Sequence, residues 1–167
     1  MKKILVFLMI VLIFVSGCGN LRSDSKVDVY FCPEDNCKEH VLNVLENANN
    51  SILFMTYSFT DNDIGNVLVK KYKQGLKVKG IFEKSQDSKY SEYYKLKDNR
   101  IDVRFDKNKY YMHNKINAVN ILLIDEKIVC LGSYNLFENN ETMNGNLMII
   151  HDYKIAKQYV DEFNKLF

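Results

Sequence analysis

The chain has 167 residues, with 23 Lys+Arg against 21 Asp+Glu. Lys2 and Lys3 sit in an apolar leader, so residues 18–167 are charge-balanced, and recognition of a polyanion by overall charge is excluded. Any basic surface must be local, on a chain long enough for one domain with a real core.

In chain order, a short basic start leads into the apolar run Ile4–Val15 and then VSGC, ending on Cys18. The run is too short to cross hydrocarbon, and the layout is that of a secretory signal. Small residues directly before a cysteine resemble the bacterial lipobox. On that reading residues 1–17 are a signal peptide, Cys18 becomes the lipidated first residue, and 18–26 is a polar tether to a domain over 27–167. The alternative is an ordinary signal peptide or an uncleaved anchor. Either way the protein is expected to be exported, and the lipid form to be anchored at the bacterial envelope.

VDVYF (27–31) reads as a strand. Cys32 and Cys37 flank a short loop; in an exported protein they are either a disulfide or two buried thiols. Asp35 or Asn36 is expected to cap a helix with Val41, Leu42, Val44 and Leu45 on one face. SILFMTYSF (51–59) is too apolar for a half-exposed strand and suits a buried one. A helix over 61–74, with Ile64, Val67, Leu68 and Tyr72 inward, stops at Gly75. LKVKGIFE (76–83) is a strand, 88–99 a short polar helix, IDVRF (101–105) a strand and DKNKYY a loop. An apolar strand containing Cys130, a packed free thiol, leads to GSYN; strand 145–152 and amphipathic helix 153–167 close the chain. Alternating strands and helices imply an α/β domain with a mixed β-sheet flanked by helices on both faces.

The chemistry is concentrated in YMHNKINAVNILLIDEKIVCLGSYNL, residues 111–136. On an extended chain, His113 and Lys115 point to the same face. A histidine can attack phosphorus or carry a proton near neutral pH, and a neighbouring lysine offers positive charge to phosphate oxygens. Gly132-Ser133-Tyr134-Asn135 adds a tight turn with backbone N–H groups, a hydroxyl and an amide, all donors suited to an anion.

HNK, then Asp125, six residues, then GSYN resembles the HxK…D(x6)GSxN signature of the phospholipase D superfamily, most like its small single-motif bacterial endonucleases. The likeness extends over VYFCPEDNC, SILFMTYSFTDNDIGNVL, GLKVKGIFEKSQ and the closing helix. It implies a phosphodiesterase in which His113 forms a phosphohistidine while Lys115 and Asn135 hold the phosphoryl oxygens. Ser133, Gly132 and Asp125 support the phosphate site. No metal or other cofactor is implied. The chain has one motif, so the second histidine is expected from His113 of a second subunit in a homodimer; His40 and His151 are expected to be surface or packing residues.

Two departures from the signature stand out. Nine residues, INAVNILLI, separate Lys115 from Asp125 where the family has four, and the four-residue spacing would put Asn120 in the aspartate's place. Five extra residues in a continuous strand reverse every later side chain, so NAVN (117–120) is expected to leave the sheet before ILLID resumes it. Gly145 also stands where the family usually has a glutamate that orients the histidine; Glu138 or Glu141 is a candidate substitute. The resemblance favours DNA or RNA as substrate, with a lipid headgroup as the alternative and a phosphate-binding, catalytically impaired member as a third reading. Tyr90, Tyr93, Tyr94, Tyr110 and Tyr111 are candidate base-stacking residues, though taken singly each reads more readily as amphipathic surface or core edge; Lys107 and Lys109 are candidate phosphate contacts.

Overall fold

Strands and helices alternate as far as residue 105, three further strands and a closing helix follow, and in the computed structural model, which describes residues 25–107, 120–138 and 142–167, they form one layered unit. The strands are β1 (Lys26–Cys32), β2 (Ser51–Thr56), β3 (Lys77–Phe82), β4 (Asp102–Phe105), β5 (Asn120–Ile124), β6 (Ile128–Gly132) and β7 (Gly145–His151). They make one mixed sheet in the order β1-β7-β6-β5-β2-β3-β4. β2, β3 and β4 are parallel, whereas β5, β6, β7 and β1 join antiparallel. The helices are α1 (Cys37–Glu46), α2 (Asn62–Lys73), α3 (Glu92–Asp98) and α4 (Tyr153–Leu166).

Every residue of β2 is buried, as a strand covered on both faces requires. Ile52 and Phe54 face a core shared with Val41 and Leu45 of α1 and Ile64 and Leu68 of α2. Leu53 and Met55 face the opposite core, which α4 closes with Ala156, Val160 and Phe163. These three recur at helical spacing on one side of α4, so its burial follows from its pattern. Each fully buried large apolar side chain contributes about 1.5–3 kcal/mol. Helices therefore cover both faces of the mixed sheet, the arrangement the sequence predicts.

Four local features differ from expectation. Asn36 occupies the start of α1 in a left-handed conformation without a side-chain cap bond, and the Asp35 carboxylate accepts from the Phe31 N–H at 2.7 Å instead. The tight β1–α1 turn, with Asp35 N–H on the Phe31 carbonyl, aims that carboxylate back at the strand. β2 ends at Thr56, and Phe59 makes a separate parallel bridge to Leu136. The apolar stretch before GSYN is a hairpin of two strands, because Asp125 (φ 52°) and Glu126 (φ 57°) both take left-handed backbone and turn the chain. Asn120, the last residue of NAVN, pairs with both Thr56 and Gly132 and so belongs to β5 rather than outside the sheet; residues 117–119 lie outside the described residues.

Cys32 and Cys37 form a disulfide between the end of β1 and the start of α1. Cys130 is a buried free thiol whose pKa burial pushes up to about 12. Cys18, the leader and most of the tether lie outside the described residues. Among the described residues, no helix is long and apolar enough to cross a membrane.

Candidate active site

The end of the sheet at Gly132 collects the chemistry. Thr56, Asn120 and Gly132 share one rung across β2, β5 and β6. β2, β3 and β4 run parallel and finish there at Thr56, Phe82 and Phe105. β1 finishes and β7 begins on the same side, where Cys32 pairs with Gly145. The chain leaves the described residues at Lys107, two residues past β4, and re-enters at Asn120 on β5. Both points lie at this end. His113 and Lys115 lie in that connection, outside the described residues, as do Lys109, Tyr110 and Tyr111.

The GSYN turn is held by one residue that the motif reading did not pick out, Asn146. Its side-chain oxygen accepts from the Ser133 N–H at 3.0 Å, and its own N–H donates to Ser133 Oγ at 3.0 Å. Its carbonyl accepts from the Tyr134 N–H at 2.9 Å. Gly132 is required for this approach: at φ 151°, a Cβ there would sit 2.2 Å from the Asn146 carbonyl oxygen. Tyr134 then turns into the core, leaving Ser133 exposed and Asn135 half-buried at the sheet end. The Leu136 carbonyl accepts from the N–H groups of Thr60 and Asp61, which fastens the turn to the β2–α2 connection. The sequence signal for Asn146 is slight: one amide at the start of an otherwise apolar strand.

Asp125 lies elsewhere. It is at the far end of the β5–β6 hairpin, five residues or about 17 Å along the strand from Asn120. Its carboxylate accepts from the backbone N–H groups of Asn50 at 2.7 Å, Ser51 at 2.9 Å and Asn49 at 3.0 Å. Burial pulls its pKa upward, but the bonds from Ser51, Asn50 and Asn49 prevail and hold it below the ordinary carboxylate value. Its support therefore goes to the joint between the hairpin and β2, at the opposite end of the strand from the GSYN turn.

Gly145 is open toward the site, with a Cβ there lying 3.6 Å from Ser133 Oγ, an ordinary contact. Glu138 is exposed and lines a cleft with Thr60, Glu92 and Tyr94 on the α3 side; Glu141 lies outside the described residues. His40 stacks on Tyr30 with ring centroids 3.6 Å apart, and His151 ends β7 at the opposite end of the sheet, 3.6 Å from Asp28. Tyr93 packs between Phe82 and Phe105, whereas Tyr90 and Tyr94 are exposed. Among the described residues, no group of three or more His, Cys, Asp or Glu is placed to hold a metal ion.

Comparison with known proteins gives this arrangement a context. Residues 41–167 match the family described as cardiolipin synthase, PLD-like domain. The phospholipase D of Rickettsia conorii is 31% identical over 143 residues, 84% of this chain and 69% of that protein. The phospholipase D of Rickettsia prowazekii is 30% identical over 143 residues, covering 84% and 67%. Among solved structures, Nuc from Salmonella typhimurium, a phospholipase D family member, superposes with a TM-score of 0.76 at 25% identity, over 86% of this chain and 94% of that one.

Proposed function

The chain belongs to the phospholipase D-like family of phosphodiesterases, and from that premise we propose that it is a metal-independent endonuclease acting through a phosphohistidine. The observation that carries this reading is the common sheet end. The connection bearing His113 and Lys115 starts and finishes at the sheet end that carries the Asn146-clamped GSYN turn, and it re-enters at Asn120, which pairs with Gly132 beside the exposed Ser133.

In the first step a ring nitrogen of His113 bonds to phosphorus as the bond to the leaving oxygen breaks. A second histidine gives that oxygen a proton. Water then attacks the phosphohistidine and passes a proton back, releasing the phosphate end and restoring both histidines. Lys115 supplies charge to the non-bridging oxygens, and the Asn135 amide supplies a neutral donor beside it. With one motif in the chain, the second histidine is His113 of a second copy, so the active species is a homodimer. Cys18 carries the lipid that holds the enzyme at the envelope, and residues 18–26 are the tether.

The test is cleavage of DNA and RNA oligonucleotides in EDTA, with His113→Ala as control. Equal background from both proteins removes the nuclease reading. Hydrolysis of a phospholipid headgroup is the second reading, favoured by the rickettsial relatives named phospholipase D. Headgroup release from vesicles, without oligonucleotide cleavage, decides for it.

A further inference from the structure

The sheet separates two kinds of surface. β1, at one edge, exposes Val27, Val29 and Phe31 along one face. The N-terminal segment joins the domain at this strand. β4 is the opposite edge, six strand spacings or about 29 Å away. Beside it lies a cavity of about 590 Å³ lined by Lys84, Lys97, Arg104 and Lys107, with Tyr93 and Phe105. The two aromatic rings stack at 4.0 Å with planes 26° apart and form an apolar wall.

The cations of this cavity divide in two. Arg104 is already engaged: its guanidinium donates to the Phe167 carbonyl at 2.6 Å, lies 3.8 Å over the Phe167 ring and pairs with Asp102 at 3.4 Å. Lys84, Lys97 and Lys107 are exposed, and among the described residues none of them pairs with a carboxylate. Lys97 leans on the Val103 carbonyl at 3.5 Å. The one acid lining the cavity, Asp106, is buried. By contrast, the cleft on the other side of α3 balances Lys89 and Lys95 with Glu92 and Glu138. In a domain of balanced charge, this is a local excess of positive charge.

We propose that Lys84, Lys97 and Lys107 form a phosphate track at the β4 edge that binds the flanking strand of a polynucleotide substrate. The proposal rests on the phosphodiesterase reading of the common sheet end and adds a second contact to it. Four strand spacings separate β6 from β4, about 19 Å, which matches five to six nucleotides of duplex rise. A lone phospholipid headgroup does not bridge that distance, whereas a polymer does. The track also lies on the edge remote from the apolar row of β1 and from the point where the N-terminal segment arrives. That placement suits a chain held in solvent rather than a bilayer.

The experiment uses the full chain in detergent. A fluorescent 30-mer is bound to the His113→Ala protein with and without Lys84→Glu and Lys97→Glu, and melting curves confirm that the exposed changes leave the fold intact. The expected result is at least a tenfold rise in Kd. The slope of log K against log salt should fall by about 2, one for each lost phosphate contact. An unchanged Kd and slope overturn the track. If the reversals loosen binding to phosphatidylglycerol micelles while the 30-mer affinity stays the same, the patch is a lipid surface and the proposal is likewise overturned. Hydrolysis of bis(p-nitrophenyl) phosphate by the unaltered protein reads the chemistry separately. It is expected to be insensitive to the two reversals, and its absence sinks the enzymatic reading without affecting the binding result.

Discussion

At the residue scale, Asn146 holds the GSYN turn through reciprocal bonds to Ser133. Gly132→Ala places a Cβ against the Asn146 carbonyl and forces an L-residue into a glycine conformation. A loss of about 1–3 kcal/mol is expected, read as a lower midpoint in urea unfolding. Gly145→Ala meets only ordinary contacts, so it should leave the midpoint unchanged or raise it. Gly145→Glu tests the departure from the family pattern: it folds, and a rise in kcat would show that a missing carboxylate limits the histidine, whereas an unchanged kcat would remove that explanation. HNK and GSYN were legible because each combines rare chemistry at fixed spacing. Asn146 was not, because its contribution is a reciprocal amide bond to a residue thirteen positions away.

At the element scale, the β5–β6 hairpin is the part the sequence concealed. Ile121–Ile124 and Ile128–Leu131 are apolar runs without alternation, and Asp125-Glu126 lacks the glycine or asparagine that usually marks such a turn. What offsets the left-handed backbone is the Asp125 carboxylate on three N–H groups of the α1–β2 joint. Its folded pKa is depressed, so its contribution is complete above the ordinary value of 3.8 and is lost as pH falls through the folded value. Asp125→Asn should therefore destabilise at pH 7 by about 2 kcal/mol and flatten the acid limb of stability below pH about 4. A parallel pair of pH-stability curves would contradict this role. The closing helix, in contrast, was legible from its period. Phe163→Ala, which empties the core beneath α4, should cost about 3–5 kcal/mol in the same unfolding assay.

At the scale of the whole molecule, layer order followed from alternating strands and helices, and the family resemblance matched the fold found. The convergence of strand ends depends on pairing order, which spacing along the chain does not encode. That convergence puts both flanks of the HNK segment at the sheet end that carries the GSYN turn, with Asn120 paired to Gly132, and it leaves the apolar and basic surfaces on opposite edges. Sharing a second His113 requires two copies, so sedimentation of the detergent-solubilised protein should give twice the mass of the lipidated 18–167 chain after correction for bound detergent. A monomer at assay concentration with full activity would contradict the shared site.

The most direct measurement is trapping of the covalent intermediate. Protein quenched in alkali during turnover of a 5′-labelled or 3′-labelled oligonucleotide in EDTA should carry an alkali-stable, acid-labile label that maps to His113 and is absent from His113→Ala. Oligonucleotide cleavage that persists in His113→Ala, or label on another residue, would contradict the account.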